Sequence, residues 1–262
     1  EELDAFERAV SRGEKRRGVV SAIRRSGVDK EAETKDCRGR EYDDGRGAPL
    51  VGGSEVRAID AIFVRLRRAA PGTCQFGFDV ALSGDLIAVT DPLGAGRVHT
   101  WLRVGNAWRP NGTVEPTRDD PSAFGYSVAL DDGTLLVGHR GDFLFGSASF
   151  YDFDDGGTPA DPADDAWTPN GTFTESPLWA DFGHQVALDG DRALVSTVTL
   201  SYYLELGGRV AVFERNGGAG SENTWQQTAT LAAEDDTLGD RFGWSLDLAG
   251  PLMVTGAKGD KD

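Results

Sequence analysis

The stretch FGYSVALDDGTLLVG, residues 124–138, returns as FGHQVALDGDRALVS at residues 182–196. Phe76-Gly77 and Phe242-Gly243 open two further copies, so the Phe of each pair stands 48, 58 and 60 positions from the last. Four positions beyond each Phe comes an apolar, small or acidic, apolar triplet: Val80-Ala81-Leu82, Val128-Ala129-Leu130, Val186-Ala187-Leu188 and Leu246-Asp247-Leu248. A period of this length fits one small sheet per repeat and is too long for a helical pair. The chain reads as a repeat protein.

Within each unit the residues alternate large and small. Phe76, Phe78, Val80 and Leu82 fall on one face with Gly77, Asp79 and Ala81 on the other, and Phe124, Tyr126, Val128, Leu130 and Phe242, Trp244, Leu246, Leu248 repeat the pattern. A bulky face and a small face suit sheets stacked like wedges. Tight turns follow at Ser83-Gly84-Asp85, Asp131-Asp132-Gly133 and Asp189-Gly190-Asp191, whose Gly and Asp accept positive φ and make the flanking strands antiparallel neighbours. The returning segments Leu86–Val89, Leu135–Val137, Ala193–Val195 and Leu252–Val254 are continuously apolar, as expected of strands covered on both faces. A third strand begins near Arg97, Ser147 or Gly208, and Trp108, Trp167 and Trp225 open a fourth that leads to the next Phe-Gly 15 to 17 residues on. Four antiparallel strands per repeat with fixed aromatic and Gly landmarks describe a β-propeller blade.

These units resemble FG-GAP repeats, the blade units of integrin α-chain propellers and of many microbial and algal surface proteins. The resemblance spans residues 76–262. It implies an all-β propeller, usually seven-bladed, in a non-enzymatic extracellular or cell-surface role of adhesion or ligand recognition. It implies no particular ligand; a protein or carbohydrate held on the variable outer loops is the expected partner. Related repeats also decorate hydrolases, so the alternatives are an accessory propeller of a larger hydrolase or a lectin-like, carbohydrate-binding propeller. Many such repeats hold calcium between their first two strands. Here the hairpins offer too few Asp residues for the six or more oxygens calcium takes, so an ion is expected, if at all, in the acidic outer loop at Asp154, Asp155, Asp161, Asp164 and Asp165. No other cofactor is expected. Units starting at 76, 124, 182 and 242, the last truncated, give about three and a half blades, too few for a ring of about four to eight. Further blades beyond residue 262 are the expected partners.

Candidate sites each have a plainer reading. Arg140-Gly141-Asp142 spells a tripeptide that some adhesion receptors bind, but Lys258-Gly259-Asp260 occupies the aligned place in the last unit, so a recurring Gly turn accounts for it. Asn111-Gly112-Thr113 and Asn170-Gly171-Thr172 are glycosylation sequons, conditional on secretion by a eukaryote, each three residues after Trp108 or Trp167. His99, His139 and His184 lie in different parts of different units and form no catalytic grouping with Ser and Asp, so no enzymatic activity is expected. The Trp residues read as blade landmarks before they read as a sugar platform.

Composition, at 39% apolar and 27% charged, is that of a globular protein. Residues 1–70 carry 16 Lys and Arg against 14 Asp and Glu, residues 71–262 carry 11 against 29, and the chain's net charge is −16. So acidic a repeat region repels phosphate backbones and argues against nucleic acid. No apolar run reaches the roughly 20 residues of a membrane span. Residues 1–75 read as a separate irregular or partly helical, partly disordered segment. Leu3, Phe6, Ala9 and Val10 have helical spacing, as do Val56, Ile59, Ile62, Phe63 and Leu66 after Ser54, although Ile62, Val64 and Leu66 also alternate as a strand would. Arg65, Arg67 and Arg68 read as a solvated face, and Cys37 and Cys74 could pair or stay free. The chain starts with Glu1-Glu2, has Met253 as its only Met and shows no signal peptide, which reads as a piece of a longer product.

Overall fold

The computed structural model describes residues 75–92, 96–116, 123–141, 146–158, 161–174, 181–198, 207–217, 224–234 and 239–259. The expected N-terminal helices, the basic run at 65–68, Cys37 and Cys74 lie outside the described residues. All described strands fall within the compact unit Gly77–Asp262, and no helix occurs among the described residues.

Four sheets follow in chain order. The first holds β1 (Val80–Ser83), β2 (Leu86–Asp91), β3 (Arg97–Val104) and β4 (Ala107–Val114). The second holds β5 (Phe124–Asp131), β6 (Thr134–His139), β7 (Ser147–Asp154) and β8 (Ala166–Thr174). The third holds β9 (Phe182–Asp189), β10 (Arg192–Thr197), β11 (Arg209–Asn216) and β12 (Thr224–Leu231). A two-stranded sheet of β13 (Phe242–Ala249) and β14 (Leu252–Ala257) completes the set. Every pairing is antiparallel between consecutive strands, the meander of a propeller blade. The architecture is all-β, with propeller-like blades that form no closed ring among the described residues.

The cores lie between sheets rather than within them. Leu86, Ala88 and Val98 of the first sheet pack against Phe124, Val128, Leu130, Leu135 and Val137 of the second. Leu136, Ala148 and Phe150 on the opposite side of the second sheet meet Phe182, Val186, Leu188 and Phe213 of the third. Ala81, Ala129 and Ala187 are the small residues that the next sheet's Val-Ala-Leu or Leu-Asp-Leu triplet covers, as the wedge pattern requires. Trp167 and Trp225 reach back to the preceding sheet: Trp167 Nε1 donates to Thr100 Oγ1 at 3.1 Å, and Trp225 stacks on Phe150 with ring centroids 4.3 Å apart.

Phe and Gly in each pair do different work. The N–H of Tyr126 donates to Ala123 O, that of His184 to Asp181 O and that of Trp244 to Arg241 O, each closing a four-residue turn around Phe-Gly. Gly125, Gly183 and Gly243 adopt φ of 85°, 84° and 87°, the value a type II turn demands at its third residue. Phe then enters the core while Gly touches the preceding sheet, where a Cβ on Gly183 would collide with Ser147 O and His139 N. The contact is reciprocal. Gly146 and Gly208, just before β7 and β11, lie so close to the carbonyls of Phe182 and Phe242 that no Cβ fits.

Two expectations change. The turn shifts the register between Phe124 and Ser127, and likewise between Phe242 and Ser245, so strict alternation fails there. Phe124 is 1% exposed, but Tyr126 and Trp244 leave the core row and Phe78 is 45% exposed. The apolar β14 was also expected to be covered. Leu252 and Val254 are 72% and 64% exposed because no sheet among the described residues packs outside β13 and β14.

Candidate functional site

The residues displaced by the Phe-Gly turns come together. Phe78, Tyr126, His184 and Trp244 hold the same place in four successive units, and their rings form one continuous row with centroids 5.0, 5.4 and 4.9 Å apart. Each adjacent pair is tilted by 46° to 48°, a geometry aromatic quadrupoles favour over face-to-face stacking. Cations flank the row. The Arg140 guanidinium sits 5.0 Å from the Tyr126 centroid, and Lys258 Nζ and the Arg241 guanidinium lie 4.1 and 5.5 Å from that of Trp244.

Arg140 also donates from Nη1 to Tyr126 Oη at 3.1 Å and from Nε to Asp181 Oδ1 at 3.5 Å. Burial alone would lower its pKa, but Asp181 and the Tyr126 hydroxyl outweigh that and raise it. His184 is the buried member at 3% exposure, and neither ring nitrogen has a hydrogen-bond partner among the described residues. Burial first, then the charges of Arg140 and Lys258, push its pKa down to about 4, so the ring is neutral at physiological pH. The row therefore offers apolar and aromatic surface edged by positive charge within an acidic protein. The sequence shows Phe, Tyr, His and Trp at one repeat position, but alternation assigns that position to the core, and the row emerges only in the structure.

Residues 225–262 match the FG-GAP repeat family.

No curated protein matches the chain. Among solved structures, the crystal structure of the Saccharomyces cerevisiae Sqt1 aligns with 62% of this chain at 12% identity and a TM-score of 0.39. The chain spans 36% of that protein.

The remaining sequence candidates find their places among the four sheets. Arg140 is committed to Tyr126 and Asp181, while Asp142, the acidic end of its tripeptide, lies outside the described residues. Asp131 and Asp189 tie hairpin to hairpin: Asp131 Oδ2 accepts from Gly190 N at 2.8 Å and Asp189 Oδ2 from Gly250 N, while Ser83 Oγ accepts from Asp132 N at 3.3 Å. In the acidic outer loop, Asp154, Asp155 and Asp161 accept from the backbone of their own turns, and Asp164 accepts from Thr158 Oγ1 at 2.7 Å. Among the described residues no three His, Cys, Asp or Glu side chains are grouped to hold a metal ion.

The two sequons lie at bulges. Gly112 and Gly171 have φ of 93° and 108°, and the register of β3 with β4 and of β7 with β8 shifts beside them. Asn111 is thereby turned inward to 2% exposure, and Asn170 gives its Nδ2 to Asp152 at 2.6 Å. A glycan on Asn111 would have to leave from a buried nitrogen. His99 contacts Thr113 and His139 contacts Ser147, each within its own sheet.

Proposed function

We propose that the chain is a non-enzymatic ligand-recognition module of the adhesion type, working outside the cell or at its surface, and that the aromatic row is where it meets a protein ligand. The observation that carries this reading is the row itself: four units spend one equivalent position on a ring that the core does not require. Aromatic side chains and Arg dominate the energetics of protein interfaces, and Phe78, Tyr126, Trp244 and Arg241 supply that chemistry in one line. Lys258 and Arg241 select for acidic groups beside the apolar contact. The exposed apolar strand β14 is the proposed docking edge for further blades.

The test is binding of the fluorescently labelled chain to intact cells and to immobilised matrix proteins. The double variant Phe78→Ser, Trp244→Ser should lose at least about tenfold in apparent affinity. Equal binding by the variant would refute the assignment, and binding to neither kind of surface by the unaltered chain would remove the adhesion reading.

A further inference from the structure

The last sheet departs from the others on the face that no described sheet covers. In the sheets before it that face follows a rule, legible in the hydrogen bonds that cross each joint. A polar residue on it accepts from a backbone N–H of the next sheet, one place beyond its own counterpart there. Asp79 accepts from Val128 N at 2.9 Å, Ser127 from Val186 N at 3.2 Å, Asp131 from Gly190 N at 2.8 Å and Asp189 from Gly250 N. Ala81, Ala129 and Ala187 lie along the same rows and by the same rule face Leu130, Leu188 and Leu248, with which they share a core.

The order along these rows is Ala and then, two residues on, Asp: Ala129 and Asp131, Ala187 and Asp189. β13 reverses it, with Asp247 in the place of the Ala and Ala249 in the place of the Asp. The register sets Asp247 opposite Val254 and Ala249 opposite Leu252, so these four share the outer face, while Leu246 and Leu248 on the other face pack on Ala187. The uncovered face is thus a carboxylate beside exposed Leu252 and Val254.

Both changes disable the standard joint. Ala249 offers no side-chain acceptor to the hairpin N–H that Asp131 and Asp189 hold in the sheets before, and a Leu at the third triplet position would close over the Asp247 carboxylate and strip it of water. A second copy of this chain brings that Leu, since Leu82 ends the triplet of its first sheet. Lys or Arg in the place of the Leu turns the same contact into a charge-assisted hydrogen bond, and its methylenes can still cover Val254. We propose that the outer face of β13 and β14 docks a further blade that carries Lys or Arg at the third triplet position, and that Asp247 turns away a second copy of this chain. The inference rests on the reading of β14 as a docking edge and adds the chemistry of what docks there.

Fluorescence anisotropy on the whole chain tests it with two labelled peptides: residues 182–197 as they stand, and the same segment with Leu188→Lys. This segment supplies the triplet that covers Ala129. The Lys peptide should bind at least about fivefold more tightly than the other. On a chain carrying Asp247→Ala the order should reverse, which separates Asp247 from the general negative charge of the protein. Leu252→Lys should weaken both peptides. Equal binding of the two, or a Lys preference that survives Asp247→Ala, overturns the charge assignment while leaving β14 as a docking edge. Binding of neither overturns the docking edge as well. Self-association of the unaltered chain in sedimentation velocity, abolished by Leu252→Lys, would make a second copy the occupant and overturn the proposal too.

Discussion

Acidification from about pH 7.5 to about pH 5 should weaken this fold through one side chain, His184. Its ring is 3% exposed between Tyr126 and Trp244, its nitrogens lack partners among the described residues, and Arg140 and Lys258 oppose a positive charge there. The unfolded chain binds this proton below the ordinary value of 6.5, the folded chain only below about 4. Between those values the unfolded state holds more protons, so stability is complete above about pH 6.5 and falls as pH drops toward 4. A shift of this size corresponds to about 3 kcal/mol when fully expressed, of which about 2 kcal/mol is lost by pH 5. That loss lowers the melting midpoint by about 4–8 °C for a unit of this size. His184→Phe keeps a ring in the row and removes the proton, so circular dichroism melts of both proteins at the two pH values isolate the effect from other titrating groups. The difference between the two proteins should move by about 2 kcal/mol in the variant's favour at the lower pH. Parallel pH dependences would refute the argument.

Two further perturbations address the joints between sheets. Gly146→Ala places a Cβ on the Phe182 carbonyl and should cost about 2–3 kcal/mol in chemical denaturation, whereas Gly217→Ala, with open space around it, should stay within about 0.5 kcal/mol. Equal effects would mean that the second and third sheets are less tightly apposed than described. Asp131→Ala strips the acceptor from Gly190 N and from Ser83 Oγ and should destabilise by about 1–3 kcal/mol, read from the denaturant midpoint. Stability unchanged by that substitution would remove Asp131 as a tie between hairpins.

The strand count, the phase of each sheet and the wedge packing were legible because they follow from residue type at fixed repeat positions. Val128, Leu130 and Ala129 could be assigned to opposite faces from alternation alone. The aromatic row was not, because alternation carries Tyr126 into the core, and only the turn closed by its N–H on Ala123 O takes it out. Asn111 shows the same limit. Its sequon reads as surface chemistry until the bulge at Gly112 turns it inward. The exposure of β14 lay beyond periodicity altogether, since burial of a strand is decided by the neighbouring sheet.

The Phe-Gly contact also has a direction in time. The Phe-Gly turns at Gly125, Gly183 and Gly243 each land on the sheet before them, on Ser147 O and His139 N in the case of Gly183. During synthesis from the N-terminus the receiving surface therefore already exists when the next Phe-Gly leaves the ribosome, and every sheet can be laid on a finished template. A defect in a receiving Gly such as Gly146 would then stall the sheets made after it and spare those made before, so truncation series should reveal damage that spreads toward the C-terminus.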